Sequence, residues 1–114
     1  MEKSEMAGRV RKAARLLTVD GHCKGKLYGG DGARCMGGAL LDVGLLGTSR
    51  VVDRMIDTEI LAVLHEQYPG RVWECRCSCG KHESFAIFND DPETTAADVI
   101  AVLEKTAARL GEGS

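Results

Sequence analysis

The sequence predicts a mostly α fold (α+β): about four helices around one core, with a small β-hairpin between the third and fourth. Three observations lead there. Aromatic residues are scarce, with only Tyr28, Tyr68, Trp73, Phe85 and Phe88. The core must therefore be built from Ala, Val, Leu, Ile and Met, which suits helix packing better than a sandwich of sheets. Apolar residues recur at three- and four-residue spacing over three long segments, the period of a half-buried helix. Only residues 71–88 switch to alternation, the period of a strand. At 114 residues the chain suits a single domain, 1–114, with the hairpin at about 71–88 as an insertion.

Met6, Val10, Ala13, Ala14 and Leu17 mark a first helix over about 4–17. Gly21, Gly25, Gly29, Gly30 and Gly32 then make a loop, with Lys26-Leu27-Tyr28 extended inside it. A short second helix starts near Arg34 or Cys35 and runs to about Val43. Its Gly37-Gly38 pair costs roughly 1 kcal/mol per glycine relative to Ala, which is tolerable where another backbone packs close. Thr48 or Ser49 caps a third helix over about 50–68, with Val52, Met55, Ile56, Ile60, Val63 and Leu64 as its buried stripe. Arg54 and Asp57 would pair on its surface, and Pro69-Gly70 stops it. Arg71-Val-Trp-Glu-Cys-Arg-Cys and His82-Glu-Ser-Phe-Ala-Ile-Phe alternate and would form the hairpin. Asn89-Asp90-Asp91-Pro92 reads as a turn. Thr95-x-x-Asp98 resembles a capping box with Asp in place of Glu. The last helix buries Val99, Val102, Leu103, Ala107 and Leu110, and Gly111 ends it.

Net charge is −2, so the chain as a whole is no polyelectrolyte. Residues 1–26 carry seven Lys/Arg against three acids, and 71–114 carry five against eight. Arg9, Lys12 and Arg15 read as the solvated side of an amphipathic helix, so nucleic acid is not the expected partner. No run of 18 apolar residues exists, which excludes a membrane-spanning helix. The N-terminal stretch lacks the apolar segment of a signal peptide. Five cysteines, an odd number without an export signal, predict reduced thiols in a cytoplasm.

The densest constellation is Cys75-Arg-Cys77-Ser-Cys79-Gly-Lys-His82. Zinc takes four thiolate or imidazole ligands at tetrahedral corners, and turns supply them in pairs. Cys79-x-x-His82 has the spacing of one such turn, and Cys75 and Cys77 would leave one face of a strand together. Cys23 or His22 is an alternative fourth ligand. The competing reading is a hairpin whose cysteines act as small hydrophobes, so the cofactor expectation is none, or Zn.

A second constellation asks whether Cys35, near a helix N-terminus, is a nucleophile. His22, His65 or His82 could then be the base and Asn89 could orient it, as in Cys-His-Asn hydrolases. Nothing local marks Cys35 as an elbow, and a buried Cys beside Gly38 and Ala39 is the blander reading. The stretch Gly29–Gly38 fits neither phosphate-loop template. Asn89 with the acids Asp90, Asp91 and Glu93 could meet a divalent cation, but the acids stand where a helix N-terminus prefers negative charge.

Five segments together carry a resemblance: Ala14-Arg-Leu-Leu, Gly21-His-Cys-Lys-Gly25, Arg34-Cys-Met-Gly-Gly-Ala-Leu40, Phe88-Asn-Asp90 and Thr95-Ala-Ala-Asp-Val99. In this order they resemble an uncharacterised family of small actinobacterial and actinobacteriophage proteins. That family is built around Gly-Trp/His-x-x-Gly, Cys-x-x-Gly-Ala-Leu and Trp-Asn-Asp motifs. The likeness spans roughly residues 10–110 without the middle. Phe88 departs from the motif's Trp, and the Cys/His stretch 75–82 lies outside the pattern. The resemblance implies a shared scaffold in which His22, Gly25, Cys35, Gly38, Ala39, Asn89 and Asp90 hold equivalent places. It also implies an origin in an actinobacterium or a bacteriophage, with the protein in the (host-cell) cytoplasm.

No complete catalytic set is found, so no catalytic residues are assigned. The expectation is a non-enzymatic binding or accessory protein, phage-encoded and acting on a host protein through protein–protein interaction. A structural zinc module at Cys75, Cys77, Cys79 and His82 is the alternative, and a cysteine hydrolase using Cys35 the third.

Overall fold

Five helices make up most of residues 1–75 and 82–112, the part of the chain described by this computed structural model. They are α1 (Lys3–Asp20), α2 (Met36–Asp42), α3 (Arg50–Gln67), α4 (Phe85–Asp90) and α5 (Ala96–Glu112). The expected stripe of α1 is buried in full, with Ala7 added. Its end comes at Gly21, where the chain turns to φ 97° and the Gly21 N–H donates to Leu17 O. Ser49 is the cap of α3, its Oγ accepting from Val52 N–H at 3.4 Å. The capping box of α5 forms in both directions. Asp98 N–H donates to Thr95 Oγ1 at 3.1 Å, and Thr95 N–H donates to Asp98 Oδ2 at 2.9 Å. Two orphan amides are thereby satisfied at once.

Helix α1 lies along α5 and also touches α2, while α3 packs on α5 and α4 reaches both α2 and α3. Near the end of α5 the two helices lie close, where a Cβ on Gly111 would stand 3.9 Å from Ala7 Cβ, an ordinary van der Waals contact. One contiguous cluster of buried side chains results, including Met6, Leu17, Leu40, Ile60, Leu64 and Leu103. Thr106 is buried within it, its hydroxyl donating to Val102 O at 2.8 Å. An aromatic trio closes one side. Trp73 stands edge-on to Tyr68 and to Phe88, at centroid distances of 5.6 and 5.2 Å. Arg71 lies over the indole at 4.1 Å.

Several expectations are corrected. There are five helices among the described residues rather than about four, because the second half of the expected hairpin is α4. Ser84 caps it, its Oγ accepting from Ala86 N–H at 3.2 Å. Phe85, Phe88 and Asn89 are its buried residues, a three-and-four spacing that belongs to a helix. Asn89 and Asp90, expected to open a turn over 89–92, are consequently the last residues of this helix. Among the described residues the hairpin expected over 71–88 shows one antiparallel bridge, Glu74 to Glu83, and its centre, residues 76–81, lies outside them. Cys75 N–H donates to His82 O and Ser84 N–H to Trp73 O, both at 2.8 Å. The helix α5 runs through Gly111 to Glu112, because Gly111 does not take the positive φ of a terminating glycine. Arg54 and Asp57 do not pair; burial pushes the Asp57 carboxyl above its usual range, and the charge of His82 partly offsets that.

Candidate functional site

The residues brought together best are those of the 21–35 loop, the start of α2 and the end of α4. The loop returns on itself through a parallel bridge between His22 and Arg34 and an antiparallel one between Tyr28 and Arg34. Its ends are tied down by charge. Arg34 pairs with Asp42 and, at 2.7 Å, with Asp20, while the Tyr28 hydroxyl donates to Asp42 Oδ1 at 2.9 Å. The Arg34 guanidinium holds the Asp42 carboxyl below the usual carboxylate range.

The loop then lies on α2. Cys35 N–H donates to Leu27 O at 3.0 Å. A Cβ on Gly38 would stand 2.3 Å from that carbonyl oxygen, so no side chain fits there. This is the close backbone approach that the Gly37-Gly38 pair implied. Cys35 itself is the cap of α2, its Sγ accepting from Gly38 N–H at 3.3 Å. A sulfur thus does what a Ser or Asp oxygen usually does.

Asn89 joins the three parts, and it is only 2% exposed. Its Oδ1 accepts from Met36 N–H at 3.0 Å and from His22 Nε2 at 2.7 Å. Its Nδ2 donates to Cys23 O at 3.3 Å and to Asp90 Oδ1 at 2.8 Å. Two acceptor sites and two donors are all used. The main-chain donor Met36 fixes which end of the amide is oxygen, and that in turn places the proton of neutral His22 on Nε2. Asp90 Oδ1 also receives Gly25 N–H at 2.8 Å, and Lys24 reaches Asp91 O at 2.6 Å. Gly25 needs its glycine, since its φ of 75° is a left-handed conformation.

These contacts frame a hollow of about 320 Å³ with apolar walls. Leu27, Cys35, Gly37, Leu46, Phe85 and Ala86 line it, with Asn89, Lys26 and Asp90 beside them. Leu27 and its neighbour Tyr28 are each about half exposed, at 48% and 49%. Other hollows of 300–420 Å³ lie on α1, α3 and α5 and are lined largely by charged and polar side chains such as Arg11, Glu66 and Arg109. Gly37 matters here: its missing Cβ would contact Leu27, Cys35 and Phe85 at 3.5–3.9 Å without a clash.

All seven residues of the motif resemblance therefore belong to one neighbourhood: His22, Gly25, Cys35, Gly38 and Ala39 from one half, Asn89 and Asp90 from the other. Of the three candidate bases, His22 is the one beside Asn89. His65 is instead bonded to Glu83 at 2.8 Å, and Glu83 Oε2 also accepts Trp73 N–H. The Cys35 thiol makes no hydrogen bond to His22 among the described residues. Of the proposed zinc ligands, Cys77 and Cys79 lie outside the described residues. Cys75 and His82 are joined through their backbones, and the described residues contain no cluster of three or more groups able to hold a metal ion. Nothing in the sequence signalled that Leu27, Gly37 and Phe85 would line one hollow, although the Gly37-Gly38 pair did announce a close contact.

A small helical protein in which a tethered loop and a short helix frame an apolar hollow is the class that fold and site define. A family model described as a family of unknown function (DUF6197) matches residues 1–109, and the chain belongs to that family. No curated protein and no solved structure matches it. No helix among the described residues is long and apolar enough to cross a membrane.

Proposed function

We propose that this is a non-enzymatic binding protein that receives an apolar side chain of a protein partner in the hollow between the 21–35 loop and α4. The observation that carries this is the character of the hollow. Its walls are apolar and its volume is about 320 Å³, the low end of the range in which ligand sites fall. Leu27, one of the lining residues, is itself half exposed. The polar groups beside it are already engaged with one another through Asn89, an arrangement suited to holding shape. The motif resemblance adds a setting, an actinobacterium or its phage, with a host protein as partner and the cytoplasm as location.

Gly37→Leu tests the reading, since it fills the hollow from a position with room for a side chain. Peptides selected on the immobilised protein should share an apolar anchor and bind Gly37→Leu at least tenfold more weakly. Selected peptides that bind both forms equally, or none at all, would remove the proposal.

One observation favours a second reading, a cysteine hydrolase using Cys35. His22 Nε2 is fixed on Asn89 Oδ1 at 2.7 Å, leaving Nδ1 as the basic nitrogen, and Cys35 lines the adjoining hollow. Against it, the resembled motif accepts Trp at position 22. An indole N–H can make the same donation to Asn89 but cannot take up a proton. Rapid alkylation of Cys35 at neutral pH, lost in His22→Phe, is what the hydrolase requires; slow labelling with no effect of His22→Phe would exclude it.

A further inference from the structure

We propose that Cys23 and Cys35 are a redox pair that closes a disulfide across the base of the 24–34 loop. The register of the chain brings them together. His22 and Arg34 form a parallel bridge, with Arg34 N–H donating to Gly21 O at 3.1 Å and Cys23 N–H donating to Arg34 O at 3.0 Å. Cys23 and Cys35 are the next residue along each side of that bridge, so their side chains leave the same face of the pair. Bridged segments stand about 4.8 Å apart, and a disulfide spans Cα separations of about 4.4–6.8 Å.

Both residues also meet the same piece of loop. The Cys23 thiol donates to Lys26 O at 3.4 Å, and Cys35 N–H donates to the next carbonyl, Leu27 O, at 3.0 Å. Burial pushes the Cys23 thiol up, and neighbouring Cys35 pushes it further. Both are free thiols in the structure, Cys23 half-buried and Cys35 buried.

The more exposed Cys23 meets the oxidant, a peroxide. Its thiol gives up a proton as the sulfur attacks one peroxide oxygen and the O–O bond breaks; the departing hydroxide takes that proton, leaving a sulfenic acid and one water. The Cys35 sulfur then attacks the Cys23 sulfur. The S–S bond forms as the S–O bond breaks, and the departing hydroxide takes the Cys35 proton as a second water. Two thiols are oxidised by two electrons and one peroxide is reduced. The new bond straps loop residues 24–34, which carry Lys26 and Leu27 of the apolar hollow.

The experiment treats the full chain with hydrogen peroxide at native conditions, then digests it with trypsin without reduction. Cleavage after Arg15, Lys24, Arg34 and Arg50 separates the two cysteines. Peptides 16–24 and 35–50 should therefore appear joined, two hydrogens lighter than their sum. Cys23→Ser and Cys35→Ser should each abolish the joined species; serine at position 35 keeps a capping oxygen, so the fold is retained. The oxidised protein should melt several degrees higher than the reduced one, and dithiothreitol should reverse the shift. Linkage confined to Cys75, Cys77 and Cys79, or Cys23 carried to sulfinic acid while Cys35 stays a thiol, would overturn the proposal. So would joined peptides seen only after unfolding in urea, or a lowered melting temperature. The mapping reads the bond whatever the hollow binds.

Discussion

Asn89 shows how much can depend on the orientation of a single amide. Its Nδ2 faces two acceptors, Cys23 O and Asp90 Oδ1, while its Oδ1 faces two donors. Asn89→Asp keeps the shape but replaces that donor by an acceptor. It should cost about 1–3 kcal/mol, the price of stranding buried polar groups, as a lowered urea midpoint at unchanged slope. The adjacent glycines of α2 make an opposed pair. Gly37→Ala meets only ordinary contacts and should stabilise by about 0.5–1 kcal/mol through helix propensity. Gly38→Ala drives a methyl into Leu27 O and should destabilise by about 1–3 kcal/mol; thermal denaturation of both reads the contrast. Glycine spacing made a tight contact legible in the sequence. Which of the two glycines needs it was not, because that depends on where a loop ten residues upstream comes to rest.

For the loop and its neighbours, the tethers are electrostatic and their pH dependence has a sign. Arg34 holds the Asp42 carboxyl below its usual range; Asp91 is held down first by the Glu93 N–H and then by Arg71. A carboxyl with a depressed folded pKa stabilises above its unfolded value and loses that contribution as pH falls through the folded one. The tethers therefore weaken as pH drops below about 3.9. Asp57, raised by burial, runs the other way: its charged form is penalised in the fold, and acid relieves the penalty. Asp42→Asn should lower stability at neutral pH and flatten the acid limb of a stability-against-pH curve. An acid limb unchanged from wild type would show that Asp42 is not the tether. The caps of α3 and α5 could be read directly, because Ser49 and Thr95-x-x-Asp98 act within one turn of where they sit. The stretch 82–88 misled because seven residues are too few to separate alternation from helical spacing. Phe85, Phe88 and Asn89, with Ser84 ahead of them, were the signal that could have decided it.

Across the whole molecule, stability rests on α1 and α5, whose apolar stripes were legible but for Ala7 because long periodic segments carry many agreeing positions. Leu103 is completely buried on α5. Leu103→Ala should cost about 2–5 kcal/mol from lost contacts and the cavity left behind, measured by chemical denaturation. The hollow was not legible at all. Its walls come from positions 27, 35, 37, 46, 85 and 86, and no local pattern announces that such distant positions converge.

That convergence has a consequence for the order of events in folding. Met36 N–H is bonded to a side chain 53 residues away, and His22 to the same oxygen across 67. Neither bond can form until the two ends of the chain have met. The Met36 amide is therefore a reporter of long-range docking that sits at the start of a short local helix. In hydrogen exchange it should be protected well beyond what a seven-residue helix provides on its own. With Asn89→Ala it should exchange at the rate of a frayed end while the α5 amides stay protected. If Met36 kept its protection in that variant, α2 would be holding itself, and the two halves of the motif would be neighbours without being coupled.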